Sequence, residues 1–283
     1  MTEKIYYLLH GLQDRYSALY QDNIARLGPH DVVVASIGSS GQSFLGNILL
    51  ELGLNYADPY TEALSEDGTS AGVPAYADYR DRLPAHEPAE LTWPRFVKTH
   101  LTPEFFDHRP LLGSWILVRD PRDALYSWYR FRTEFVRDPL DQLATSFDDW
   151  LCRPGPRGLD RIDDWADFYD RWSRWSPRRC AISTFEDLKQ NLVPTLTEGL
   201  RTFGIAADDA RLESAIRRSS FDAMRGHERR YGGAGAGILR RGRPHEWKDW
   251  MTPSTMKHFT RDTIAPVAAR FGYHLGPQQP NLR

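Results

Sequence analysis

The stretch "DVVVASIGSSGQSFLGNILLELG", residues 31–53, decides how the chain is read. Its first part, Val32 to Ala35, is apolar, β-branched and unbroken, as a parallel strand buried on both faces requires. A short run of glycine and serine follows. Phe44, Leu45, Ile48, Leu49 and Leu52 then recur at helical spacing up to Gly53, a helix stop. A turn from strand to helix presents backbone N–H groups at a helix amino terminus, where the dipole also favours an anion. Gly41 lets the backbone approach a ligand closely, while Ser40, Gln42 and Ser43 add side-chain donors. Phosphate loops of this shape usually carry a lysine. This one has none.

Outward from that stretch, strands alternate with helices. "PRFVKTH" (94–100), "SWILVRD" (114–120) and the start of "RRCAISTFEDLKQNL" (178–192) read as further strands. Asp120 is a suitable N-cap, Pro121 suits the first helical position, and Asp123 adds negative charge to the first turn. "RIDDWADFYDRWSRW" (161–175) is an amphipathic helix, and residues 192–205 and 209–225 read as more helix. Residues 56–94 read as irregular, and "YGGAGAGILRRG" (231–242), with five glycines, as a mobile loop. The alternation predicts an α/β fold in which a central parallel β-sheet is flanked by helices. No repeat, linker or break in composition divides the chain, so one domain is expected over 1–283.

Composition narrows the function. With 41% hydrophobic and 26% charged residues the chain is globular, and its net charge of −2 argues against a nucleic-acid partner. Cys152 and Cys180 show no metal spacing, so they read as reduced, buried thiols and no metal is expected. The amino-terminal apolar run is too short for a signal-peptide core, and nothing approaches a membrane span. A cytoplasmic protein without a membrane partner is expected. Lysine occurs only at 4, 98, 189, 248 and 257, so a lysine inside a motif carries extra weight.

Read as a Walker A motif, the loop would start at Ser36 and place Gln42 at the lysine, two departures that speak against an ATPase or GTPase. In another register "ASIGSSGQSFLGNIL" resembles the "YPKSGTTWLxxIL" segment of the cytosolic sulfotransferases. Those enzymes transfer a sulfo group from 3′-phosphoadenosine 5′-phosphosulfate (PAPS), leaving adenosine 3′,5′-bisphosphate (PAP). Ser40, Gly41 and Phe44 fall on the family's Ser, Gly and Trp, with Ser39 at its lysine. Collinear matches follow along most of the chain. "PRFVKTHL" resembles "RxxKTHLP", which implies His100 as base and Lys98 as the cation that meets developing charge; neutral imidazole is the usual proton acceptor near pH 7. "RDPRDALYSWYRF" resembles "RNPKDxxxSxYxF", which implies Arg119 and Ser127 as 3′-phosphate ligands. "STFEDLKQNL" resembles "YEDLKxD", placing Phe185 beside adenine without the tyrosine hydroxyl. "RRSSFDAM" resembles "TSFxxM", placing Ser219 and Phe221 near adenine and Ser220 near the 3′-phosphate. "ILRRGRPHEWKDWMT" resembles "MRKGxxGDWKNxFT", which implies Arg240, Arg241 and Gly242 on the 3′-phosphate.

The resemblance thus implies a fold related to the nucleotide kinases and direct sulfo transfer without a metal. The acceptor implied is a hydroxyl, or an amine, of a small molecule such as a phenol or secondary metabolite, with Trp128, Tyr129, Phe131, Tyr76, Tyr79 and Trp93 as aromatic candidates for its pocket. The "KxxxTVxxxE" dimer segment is only partly matched, so a homodimer is an open alternative. Ser39 leaves three readings: a slower enzyme, an enzyme in which Lys98 or an arginine supplies the charge, and a non-catalytic PAPS- or PAP-binding protein. A small-molecule kinase on the related fold is a further alternative, which Gln42 opposes.

Overall fold

The computed structural model describes residues 14–60, 63–64, 94–155, 157–175, 179–231 and 241–276. In chain order the elements are α1 (Asp14–Ala25), β1 (Asp31–Ala35), α2 (Gln42–Glu51), β2 (Asn55–Ala57), β3 (Arg95–Thr99), β4 (Gly113–Val118) and α3 (Pro121–Arg130). Then come α4 (Phe147–Cys152), α5 (Arg161–Arg174), β5 (Cys180–Thr184), α6 (Phe185–Gln190), α7 (Leu192–Thr202), α8 (Asp209–Arg218), α9 (Phe221–Tyr231), α10 (Pro253–Phe259) and α11 (Ala265–Arg270).

The strands form one parallel sheet in the order β2-β3-β1-β4-β5. Burial on both faces explains the unbroken apolar run at its centre. Val33 and Ala35 join Ile116 and Val118 beneath α1, α5, α10 and α11, where Tyr20, Trp165, Tyr169, Phe259 and Val267 pack. Val32 and Val34 join Phe96, Trp115 and Leu117 on the other side, under α2, α7 and α8. At the amino-terminal end of the sheet Arg95 and Asp31, both fully buried, pair at 2.7 Å and hold β3 to β1.

The order places the site. The chain leaves β1 toward β2 and β3 on one side and returns to β4 on the other, and ligands of open α/β sheets bind where the order reverses. Ala35 lies opposite both Thr99 and Ile116, so the segments that leave β1, β3 and β4 emerge side by side.

Most predicted elements are present, with four differences. A short edge strand, β2, occupies 55–57 at the start of the stretch expected to be irregular. The helix expected over 209–225 is two helices that break at Ser219 and Ser220. Helix α3 runs on into a π-helical turn, Phe131–Val136, which buries Arg132 against Asp138 and Asp141. Cys152 and Cys180 are free thiols as expected, but exposed rather than buried.

Gly199 tests the packing of α7 on the sheet. A Cβ there would lie 2.2 Å from the indole of Trp115, itself fully buried and anchored by its N–H to Ser183 Oγ at 3.0 Å. Ala in a helix interior normally gains about 1 kcal/mol over Gly, whereas overpacking costs about 1–3 kcal/mol. The overpacking dominates against a ring that cannot move, so Gly199→Ala lowers the thermal midpoint, read by differential scanning calorimetry. A raised midpoint would mean that α7 packs loosely on β4.

Candidate active site

The loop between β1 and α2 is fastened from three directions. Tyr169 of α5, fully buried, accepts the Ile37 N–H at 3.2 Å and donates to Leu117 O at 2.9 Å, with Ser40 Oγ 3.3 Å away. His100 Nδ1 lies 2.7 Å from Ser36 O, just beyond β3. Arg119, at the end of β4, donates Nη1 to Ser39 O at 3.0 Å. The turn depends on left-handed backbone at Ser39 (φ 66°) and Gly41 (φ 96°). Only glycine fits at 41, because a Cβ would stand 2.6 Å from the ring of Phe185. The amides of Gly38, Ser39, Ser40 and Gly41 have no acceptor among the described residues. Four backbone donors at the start of a helix make an anion cradle.

Gln42 corrects one expectation. Its side-chain amide does not face the loop mouth; Nε2 donates to Val34 O at 2.6 Å and Thr99 O at 3.1 Å, lacing the first turn of α2 to β1 and β3. Ser43 is exposed on that same turn, and Phe44 beside it is half-buried beneath the Lys189 ammonium, 4.3 Å from the ring centroid.

At the end of β3 lie Lys98, within the strand, and His100, just beyond it. The His100 ring stacks on Tyr60, with centroids 5.8 Å apart, and the Tyr60 hydroxyl accepts the His100 N–H at 3.1 Å. Tyr60 in turn stacks on Tyr20 at 4.4 Å. With Nδ1–H donated to Ser36 O, the tautomer leaves its lone pair on Nε2. Burial first, and the Lys98 charge second, press the imidazole pKa down to about 4. It is therefore neutral at pH 7. Lys98 is itself paired with Asp58, Nζ to Oδ2 at 2.8 Å. Asp58, Tyr60 and Tyr169 were not singled out from the sequence. The "DPY" run directly after β2 held the signal for two of them; Tyr169 showed only as one apolar position of an amphipathic helix.

Around Arg119 the aromatic and basic residues converge. Its guanidinium lies over the Phe185 ring, 4.4 Å from the centroid, and Nη2 is 3.5 Å from Arg243 O. Of the five buried arginines among the described residues, Arg95, Arg122, Arg132 and Arg161 pair with aspartates and Arg119 does not. Its Nε is buried without a partner. Keeping an unpaired cation out of water is costly, so this site fits an anionic ligand. Ser127, eight residues on, lies half-buried on the last turns of α3.

Asp120 caps α3, accepting the Arg122 N–H at 3.0 Å. Asp123, assigned only to first-turn charge, also accepts the Trp247 and Glu246 N–H groups at 2.7 and 3.2 Å and so docks the 241–252 segment on α3. Burial raises its carboxyl to a pKa of about 6 against the opposing pull of Arg119.

The remaining residues separate. Ser219 is fully buried and its Oγ accepts from Asn47 at 3.0 Å, so its side chain joins α8 to α2 rather than facing the cleft. Ser220 accepts the Ala223 N–H at 3.2 Å as a cap of α9. Phe221 packs on Gly242 (φ 63°), where a Cβ would come within 2.5 Å of the ring. Arg241 pairs with Asp249 at 3.3 Å, as does Arg243. Arg240, the glycine-rich run, Tyr76, Tyr79 and Trp93 lie outside the described residues. Trp128, Tyr129 and Phe131 pack into or against the core, Trp128 and Tyr129 on Trp150.

Comparison with known proteins identifies the family and the fold. The chain is 26% identical over 204 residues to sulfotransferase 6B1 of Danio rerio, covering 67% of this chain and 66% of that one. It is 24% identical over 185 residues to sulfotransferase 2A1 of Rattus norvegicus, covering 59% and 62%. The matched stretch thus spans somewhat less than two thirds of these relatives' lengths. Among solved structures, mouse sulfotransferase SULT7A1 complexed with PAP superposes with a TM-score of 0.60 at 17% identity, covering 86% of this chain and 87% of that one. Retinol dehydratase in complex with androsterone and PAP gives 0.59 at 18%, covering 94% and 87%. The family model described as the sulfotransferase domain matches residues 29–271, and the chain belongs to that family.

Proposed function

We propose that the protein transfers a sulfo group from PAPS to a hydroxyl, or an amine, of a small molecule. The observation that carries this reading is His100: a neutral imidazole, its Nδ1–H fixed on the loop carbonyl of Ser36, with a basic Nε2 at the end of β3. PAPS, when bound, would supply the sulfo group and a 5′-phosphate leaving group. His100 takes the acceptor's hydroxyl proton at Nε2. Lys98, steadied by Asp58, lies beside it to meet developing negative charge. The amides of 38–41 and Ser39 hold the 5′-phosphate, and Arg119 with Ser127, Ser220, Arg240 and Arg241 holds the 3′-phosphate. Gly242 lies with them on the 3′-phosphate, and Phe185 and Phe221 form the adenine side. The acceptor is an apolar hydroxylated molecule, a class that includes the androsterone and retinol in the retinol dehydratase complexes.

Ser39 favours a second reading. Losing one donor to a developing anion typically costs about 10²–10³ in rate, so a protein that binds PAP but transfers nothing is the competing case. PAP affinity without transfer to a broad panel of alcohols, phenols and amines, followed by a gain of transfer in Ser39→Lys, would establish it.

Three outcomes are expected for the catalytic reading. PAP at about 100 times its Kd stabilises the fold by about 2.7 kcal/mol, a rise of about 4–5 °C in a chain of this size, while ADP and Mg-ATP shift it little. A preference for Mg-ATP would point to a kinase. His100→Asn keeps the PAP shift and loses about 10²–10⁴ in kcat; retained turnover would remove His100 as base. The pH dependence separates a buried imidazole from an ordinary one. Protonation near pH 4 leaves kcat at saturating donor and acceptor level from pH 7.5 to 5.5, whereas a histidine of pKa 6.5 would lose about tenfold by pH 5.5.

A further inference from the structure

The loop has no lysine, and most cations near it already have carboxylate partners. Lys98 is paired with Asp58, Arg122 with Asp120, and Arg241 and Arg243 with Asp249. Lys189 is different. It lies on α6 four residues after Phe185, so the two side chains share one helix face. Its ammonium is 4.3 Å from the Phe44 ring centroid and 5.8 Å from that of Phe185. Among the described residues it makes no ion pair. Phe185 therefore touches three things at once: the Lys189 cation, the Arg119 cation, and the turn at Gly41.

A half-buried ammonium beside a guanidinium, with no carboxylate partner among the described residues, rests against ring faces. Burial and the Arg119 charge both make its protonation harder, lowering its pKa from the usual lysine value. Two neighbouring cations that lean on one ring, next to four open amides, gain most when an anion of more than one charge arrives.

We propose that Lys189 is a nucleotide-positioning residue: docked on Phe44 and Phe185, it adds, beside Arg119, the second positive charge felt by a nucleotide bisphosphate at the loop. It stands in for the absent loop lysine in charge, from a different element. The inference rests on the PAPS reading and deepens it.

Equilibrium binding of PAP and of adenosine, at 50 and 500 mM NaCl, tests it on the full chain. Lys189→Met, which keeps the length and apolar stem, is expected to weaken PAP about tenfold at 50 mM, and much less at 500 mM, because salt screens a charge effect. Lys189→Arg is expected to bind PAP within about twofold of wild type, and adenosine affinity to be the same in all three. In wild type, PAP but not adenosine is expected to protect Lys189 from an amine-acylating reagent, with exposed Lys257 as the unprotected reference in mass spectrometry. Wild-type PAP affinity in Lys189→Met overturns the proposal while leaving the donor reading intact. So does a loss equal at both salt concentrations and shared with adenosine, which would mark plain packing. Wild type that binds no PAP overturns the donor reading, and this proposal with it.

Discussion

Everything at this site depends on one turn of backbone being kept open. Residues 36–41 must reverse direction between β1 and α2 while leaving the amides of 38–41 without an acceptor among the described residues, and an unsupported turn would satisfy those amides internally or with water. Three side chains from three other elements prevent this. Tyr169, His100 and Arg119 take up the 37 amide and the 36 and 39 carbonyls, so the groups that remain are the donors at 38–41. Left-handed Ser39 and Gly41 are the local cost, of order 1 kcal/mol for a serine. Gly41 also admits Phe185, which brings Arg119 against the loop. Binding geometry and fold are thus the same set of contacts.

The same contacts tune the proposed base. The hydrogen bond that staples Ser36 also selects the His100 tautomer, so the loop and the proposed base are set by one interaction. The Tyr20–Tyr60–His100 stack buries the ring, and burial keeps it uncharged. An uncharged imidazole that protonates only near pH 4 is a weaker base than a free one. It gains in being available in the correct form across neutral pH and in sitting beside Lys98 without the proton that Lys98 repels.

The sequence was most legible where local rules and chemistry coincide. β1, α2, β3, β4 and the Asp120-capped α3 follow from apolar runs, caps and helical spacing, and the segments at their ends carry the motifs. It was least legible where a role depends on a tertiary partner. Asp58 and Tyr60 follow a strand of three residues, too short to leave a periodic signal. Gln42 and Ser219 read as cleft donors because a sequence gives residue type, not direction; both are turned inward to satisfy buried groups. Asp123 read as a helix-end charge and also docks a segment more than 120 residues away. Two chains of identical motif content could differ in every one of these contacts.

The missing lysine becomes intelligible once its two tasks are separated. A lysine in such a loop attracts the anion and also meets charge on the leaving group. The first task requires a positive field at the cradle, and a field has no single address: open amides, the amino terminus of α2, Arg119 and, as proposed, Lys189 contribute to it. The second requires a cation at one place. Arg119 reaches Ser39 itself, at its carbonyl, and so brings permanent charge to the very residue that occupies the lysine's position. In the proposed arrangement the charge reaches the cradle from outside the loop, from Lys189 on α6 and from Arg119, which forms no ion pair among the described residues although the Asp123 carboxylate pulls on it from α3.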